Sequence, residues 1–119
     1  MISKREYGSA GERRARDYLL GQGFAFVAAN YHTRYGEVDL VMRDGGELVF
    51  VEVKTRRGGA AGHPAEAVNA AKLRHTVRAA GFFRREHAIR TPWRIDVVAI
   101  TDQGEGSGDH VEHFRNVTA

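Results

Sequence analysis

The chain has no cysteine. That excludes disulfides, thiol catalysis and every cysteine-based zinc site. It also has no apolar run approaching the length of a membrane span, and no signal-peptide pattern opens it. No internal repeat is present. Charge excess is small: formal net charge is only +3, although the pI is about 9.6 and arginine dominates the basic residues. Such a balance suits a phosphate-rich partner without requiring one. What remains is 119 residues at 42% hydrophobic content. These numbers describe one globular domain over residues 1–119, large enough for a real core and expected in the cytoplasm.

Within that domain, acids interrupt apolar strand sequence. Gly36-Glu37-Val38-Asp39 leads into Leu40-Val41-Met42, and Leu48-Val49-Phe50 leads into Val51-Glu52-Val53-Lys54. An unpaired carboxylate is costly to bury, so acids in such runs need a partner or a task. Between the two runs lies Asp44-Gly45-Gly46-Glu47. Two central glycines favour a tight hairpin, because both can take positive φ.

In that register Asp44 pairs with Glu47 and partner numbers sum to about 91. Asp39 then lies opposite Glu52, and Glu37 opposite Lys54. Alternation gives one face Glu37, Asp39, Val41, Phe50, Glu52 and Lys54. The other carries Val38, Leu40, Met42, Val49, Val51 and Val53, and is expected to pack on a helix. A loop one residue longer would separate Asp39 from Glu52.

Two carboxylates and a lysine on one face suit a metal-dependent phosphodiester-cleaving site. The oxygen ligands of Asp39 and Glu52 match Mg²⁺ or Mn²⁺. Such an ion polarises a phosphate oxygen and activates water, while Lys54 can orient the water or offset transition-state charge. The alternative is a cross-strand cluster of ion pairs on a solvated sheet face.

Residues 9–20 read as a helix ending near Gly21-Gln22-Gly23. Ser9 and Glu12 have capping-box spacing. Glu12 also shares a face with Ala15 and Leu19, the inward one, and can point toward the sheet acids. The two roles can coexist. Residues 24–30 read as a first strand.

Arg56-Arg57 and the glycine loop 58–62 follow Lys54, as a basic segment for a phosphate backbone or a solvated loop. A second glycine loop falls at 104–108. Asn69 can cap a second helix running toward His87, with Leu73, Val77, Ala80 and Phe83 as its buried stripe. Arg74, Arg78 and Arg85 form a basic stripe on it, whose plain reading is a solvated helix face, and Lys72 near its start is a candidate substrate contact.

Residues 93–100 read as a strand in which Asp96 is either a further site acid or a partner for Arg94. Residues 110–117 read as a short edge strand. His110 and His113 lack further ligands at metal-binding spacing, so no histidine metal site is expected.

Gly11-Glu12, Asn30-Tyr31, the Gly36 to Val41 stretch, the Leu48 to Arg56 stretch, Glu66-Ala67-Val68 and the Arg94 to Ile100 stretch together closely resemble the YraN family of bacterial proteins. That family is similar to archaeal Holliday junction resolvases and looks like a minimal member of the restriction-endonuclease-like superfamily. The resemblance spans nearly the whole chain. It implies an α/β restriction-endonuclease-like core, a mixed β-sheet flanked by helices in the order α-β-β-β-α-β-β. It also implies catalytic roles for Glu12, Asp39, Glu52 and Lys54, with Asp39, Glu52 and Glu12 as metal ligands for Mg²⁺ or Mn²⁺. Arg56, Arg57, Lys72 and Arg74 are the expected nucleic-acid contacts.

Three functions follow from these residues. The first is a Mg²⁺-dependent nuclease acting on DNA, branched or single-stranded. The second is a nucleic-acid-binding module that does not cut or needs a partner to do so. The third is a protein-interaction domain whose charged cluster is structural. Superfamily domains of this size often need a second copy to embrace a duplex, so a homodimer is expected by analogy. No base-reading motif is present.

Overall fold

The computed structural model describes residues 4–57, 69–102 and 108–118, with side chains from residue 10 and excluding that of Arg57. The expected Glu66-Ala67-Val68 segment, the glycine loop 58–62 and most of the loop 104–108 lie outside these residues.

The elements follow in the order α1 (Lys4–Gly21), β1 (Ala25–Thr33), β2 (Gly36–Asp44), β3 (Glu47–Arg57), α2 (Ala70–Glu86), β4 (Trp93–Asp102) and β5 (Asp109–Phe114). They form the expected α-β-β-β-α-β-β arrangement. Five strands make one sheet in sequence order. All neighbours are antiparallel except β3 and β4, which run parallel and are joined through α2. A parallel pair needs such a crossover, and a helix is its usual form.

Each face of the sheet is covered by one helix. Leu40, Met42, Val49, Val51, Val98 and Ile100 pack with Ala15 and Leu19 of α1. This is the apolar face that alternation assigns to a helix. Val41, Leu48, Phe50 and Ile95 on the other face pack with Ala79, Ala80 and Phe83 of α2. Burial on both sides explains why β3 and β4 read as nearly continuous apolar runs.

The hairpin register is the expected one: Asp44 pairs with Glu47, and the ladder runs through Val41–Phe50 to Leu40–Val51. Of the two turn glycines, only Gly45 takes positive φ, at 60°. A two-residue turn with that requirement at its first central position closes the hairpin without splaying it. Asn69 caps α2, its side-chain oxygen accepting from the Lys72 N–H at 3.1 Å.

Three local expectations are corrected. Helix α1 starts at Lys4, so Ser9 lies inside it and is not its cap. Residues such as Lys4, Arg5 and Glu6 propagate a helix well enough to extend it upstream. Strand β1 runs past Asn30 to Thr33, because β2 extends back to Gly36 and offers it backbone partners. Val38 joins the cluster beneath α2, not the α1-side face of Leu40 and Met42. Its partner is Tyr31, and Asn30 just before it holds a left-handed φ of 53°. Asparagine tolerates that conformation better than most residues. Strict alternation fails there.

Candidate functional site

The site forms where β2 and β3 part. Their ladder ends at Leu40–Val51. One step beyond, the Asp39 carboxylate leaves the pleat and Oδ2 accepts the Val53 N–H at 2.8 Å. The expected Asp39–Glu52 and Glu37–Lys54 ladder pairs are therefore absent. Glu37 instead pairs with His32 across β1, with Oε2 2.9 Å from Nδ1. Asp39 and Glu52 nonetheless come together: both line a pocket of about 330 Å³ with Glu37, Lys72, His75 and Thr76.

Glu52 is buried, 4% exposed. The Lys72 ammonium stands 2.8 Å from its Oε1. The contact is a close ion pair, and Oε1 has no further hydrogen-bond donor among the described residues. Burial alone would lower the Lys72 ammonium. Its bond to Glu52 and the charges of Glu52, Asp39 and Glu37 outweigh burial and hold it above its ordinary value.

Asp39 is the most perturbed acid of the pocket. Desolvation pushes its pKa from 3.8 up to about 6, with the negative charges of Glu12 and Glu37 adding to the rise and the Val53 N–H and Lys72 opposing it. Glu12 is half-buried on α1. Its carboxyl is also raised, by burial first and by Glu37, while a side-chain hydrogen bond with Asn30 holds it down. Acids from three elements thus crowd one region at an electrostatic cost, which functional sites incur more often than surfaces do.

Two glycines make this crowding possible. A Cβ on Gly11 would lie 2.2 Å from Thr55 Cγ2, so the residue before Glu12 lets α1 settle onto β3 beside Lys54. A Cβ on Gly36 would lie 2.5 Å from the His75 carbonyl oxygen. The glycine that opens Gly36-Glu37-Val38-Asp39 therefore seats β2 against the backbone of α2.

The remaining expected residues spread out. Lys54 is half-buried on β3, two positions from Glu52 and on its side of the strand. It does not line the pocket, and among the described residues it makes no ion pair. Arg74 is exposed on α2 outside the pocket. Arg56 is half-buried on β3, and Arg57 closes that strand by pairing with Asp102.

Asp96 belongs elsewhere. It accepts from Arg94 Nε at 3.0 Å and from Asn116 N–H at 2.9 Å, and His113 Nε2 lies 2.7 Å away. Burial would raise its carboxyl, but these partners together hold it below the usual carboxylate range. Its role is structural. His113 is committed to it through Nε2.

Sequence reasoning missed Asn30, His32 and His75. His75 Nδ1–H donates to the Tyr35 carbonyl at 2.8 Å and sits on the pocket wall. Nothing in local sequence distinguishes it from an exposed helical histidine. Asn30-Tyr31 is a visible feature, but its left-handed backbone and its bond to Glu12 emerge only from pairing.

The donor set suits a hard cation: carboxylate oxygens in a pocket, one of them lacking a further hydrogen-bond donor among the described residues and another resisting ionisation beside like charges. Among the described residues no three acids or histidines are spaced to enclose an ion. Mg²⁺ does not demand that, since it commonly takes one or two carboxylates and completes its shell with waters and phosphate.

A mixed sheet between helices, with an acid on one strand and acid-x-lysine on the next, defines the restriction-endonuclease-like class. The chain matches the uncharacterised protein family UPF0102, the YraN family, over residues 11–100, and it belongs to that family. It is 46% identical over 118 residues to a UPF0102 protein of Arthrobacter sp. (strain FB24), covering 98% of this chain and 99% of that one. It is 47% identical over 97 residues to a UPF0102 protein of Chromohalobacter salexigens, covering 82% and 79%. A UPF0102 protein of Symbiobacterium thermophilum is 46% identical over 103 residues, covering 86% and 87%.

Proposed function

We propose that this protein is a metal-dependent nuclease that hydrolyses phosphodiester bonds in DNA, with branched or single-stranded DNA as its substrate. The observation that carries this reading is the shared pocket of Asp39 and Glu52, delivered by adjacent strands at the point where their ladder opens. Asp39 and Glu52 would hold Mg²⁺ or Mn²⁺, with Glu12 as an outer acid on α1. Such an ion supplies charge to the scissile phosphate and a water of lowered pKa. Lys54, two positions along the strand from Glu52 and outside the pocket lining, would offset charge gathering on the phosphate oxygens. Lys72 neutralises Glu52 in the metal-free protein and can pass its charge to a phosphate when that carboxylate is engaged. Arg56, Arg57 and Arg74 serve as backbone contacts, and a second copy of the chain would complete the embrace of a duplex.

The test is cleavage of labelled DNA in Mg²⁺ and in EDTA by the wild type, Asp39→Asn and Glu52→Gln. Activity lost in EDTA and in both variants supports the reading. Activity unchanged in both variants sinks it. Light scattering that finds only monomer at high concentration would remove the homodimer.

One observation favours a second reading, a nucleic-acid-binding module that does not cut alone. Lys72 already neutralises Glu52, and a module of that kind needs no metal. Salt-dependent binding without turnover, surviving Glu52→Gln, would establish it.

A further inference from the structure

Beside the pocket stands a second feature, of which the nuclease reading uses only Arg74. Tyr35, at the turn between β1 and β2, is 45% exposed. Its ring stacks on Phe82 of α2, with centroids 5.6 Å apart and planes within 8° of parallel. Arg85 lies 4.9 Å from the Phe82 ring centre, and Arg34 lies 5.9 Å from that of Tyr35. Arg74, Arg78, Phe82 and Arg85 follow helical spacing along one stripe of α2. All three of its arginines are exposed, and among the described residues neither they nor Arg34 form an ion pair.

The platform is fixed in place. Thr33 Oγ1 donates to the Gly36 carbonyl at 2.8 Å and accepts from the Tyr35 N–H at 3.1 Å. The Tyr35 carbonyl accepts from His75, which also lines the pocket. One end of the platform is thereby tied to the pocket wall. The pocket is acidic and the ridge beside it is basic and aromatic, so a polyanion is drawn to the ridge first.

We propose that this ridge binds single-stranded nucleic acid, bases stacking on Tyr35 and phosphates meeting Arg74 and Arg78, and leads the strand toward Asp39 and Glu52. Stacking requires an unpaired base, since the faces of bases inside a duplex are covered by their neighbours. Arg74 and Arg78 are one helical turn apart, about 6 Å, on the scale of one nucleotide step. Exposed aromatics among backbone-tracking cations are the general device for strands without sequence preference. This inference rests on the nuclease reading only for where the strand is led.

The experiment is fluorescence-anisotropy binding in EDTA, using labelled single-stranded DNA, single-stranded RNA, duplex DNA and an abasic strand of equal length. The proteins are the full chain, Tyr35→Ala, Tyr35→Phe and Arg78→Gln. The expected result is tighter binding of either single strand than of the duplex or the abasic strand. The DNA and RNA arms tell which strand is preferred. Tyr35→Ala should lose roughly tenfold in affinity for single strands, while Tyr35→Phe retains it. Arg78→Gln should lower the salt slope by about 0.7. A duplex or abasic strand bound as tightly as a single strand overturns the inference. So does Tyr35→Ala with unchanged affinity. Binding is read without metal, so a protein that never cuts still tests the ridge. Cutting that shows no need for unpaired bases would overturn the ridge and leave the nuclease reading standing.

Discussion

The Lys72 ammonium stands 2.8 Å from Oε1 of Glu52, so a helix residue, not Lys54 of the same strand, compensates this buried acid. If a divalent cation belongs at Glu52, it must displace that ammonium. Lys72→Met should destabilise the metal-free protein by about 1–2 kcal/mol, between the worth of an exposed and a buried pair. It should also enlarge the stabilisation that Mg²⁺ gives. Thermal melts in EDTA and in Mg²⁺ measure both, and an equal Mg²⁺ increment in variant and wild type would show that Lys72 and the cation do not compete.

Asp39 makes the metal-free protein sensitive to pH. Its folded pKa is about 6 against 3.8 unfolded. The folded state therefore holds the proton more tightly, and stability falls as pH rises from about 4 to about 6. The full cost, roughly 3 kcal/mol at about 1.4 kcal/mol per tenfold change in proton affinity, is in place above that window. Asp39→Asn should stabilise the metal-free protein above pH ~6, and the gain should vanish below pH ~4. Urea denaturation at several pH values in EDTA decides it. A gain independent of pH would mean that desolvation of Asp39 is not the cause.

Arg94 is held by acids from three strands. Its guanidinium reaches Asp44, Glu47 and Asp96, and Asp96 is fully buried. Arg94→Met removes the cation shared by those acids, leaving, among the described residues, Asp44 only Arg115 at 3.8 Å and Asp96 only His113 and the Asn116 N–H, and should cost about 3–5 kcal/mol. Denaturant midpoints will show it. A loss below about 1 kcal/mol would mean that His113 and the Asn116 N–H suffice for Asp96.

Gly36 seats the β1–β2 turn against α2, and the atom a side chain would strike is a backbone oxygen. Gly36→Ala should cost about 1–3 kcal/mol and shift the pocket wall. The check is the denaturant midpoint together with the NMR shifts of His75. A neutral midpoint with unmoved shifts would show that the contact relaxes freely.

Much of the fold is legible in the sequence because its signals are local. Gly45-Gly46 sets the hairpin, and the hairpin's partner sum brings Asp39 and Glu52 to one place. Asn69 announces α2 through its cap. The site's finer geometry depends on long-range pairing and is not legible. Asp39 leaves the pleat to take the Val53 N–H only because the strands diverge there. Val38 packs beneath α2 although alternation assigns it to the other face, a contact that local sequence does not announce. Lys72 lies 20 residues from Glu52 in sequence, and only the crossover through α2 brings the two into contact.

The central claim is that the pocket of Asp39 and Glu52 cuts phosphodiester bonds with a metal. The direct measurement is cleavage of linear duplex, single-stranded, flap and four-way-junction DNA, plus RNA, in Mg²⁺, Mn²⁺ or EDTA, by the wild type and Lys54→Ala. The prediction is metal-dependent cutting that falls by at least about 100-fold in Lys54→Ala. Cutting that persists in EDTA or in that variant would contradict it, as would a folded protein that binds DNA and cuts none of the substrates.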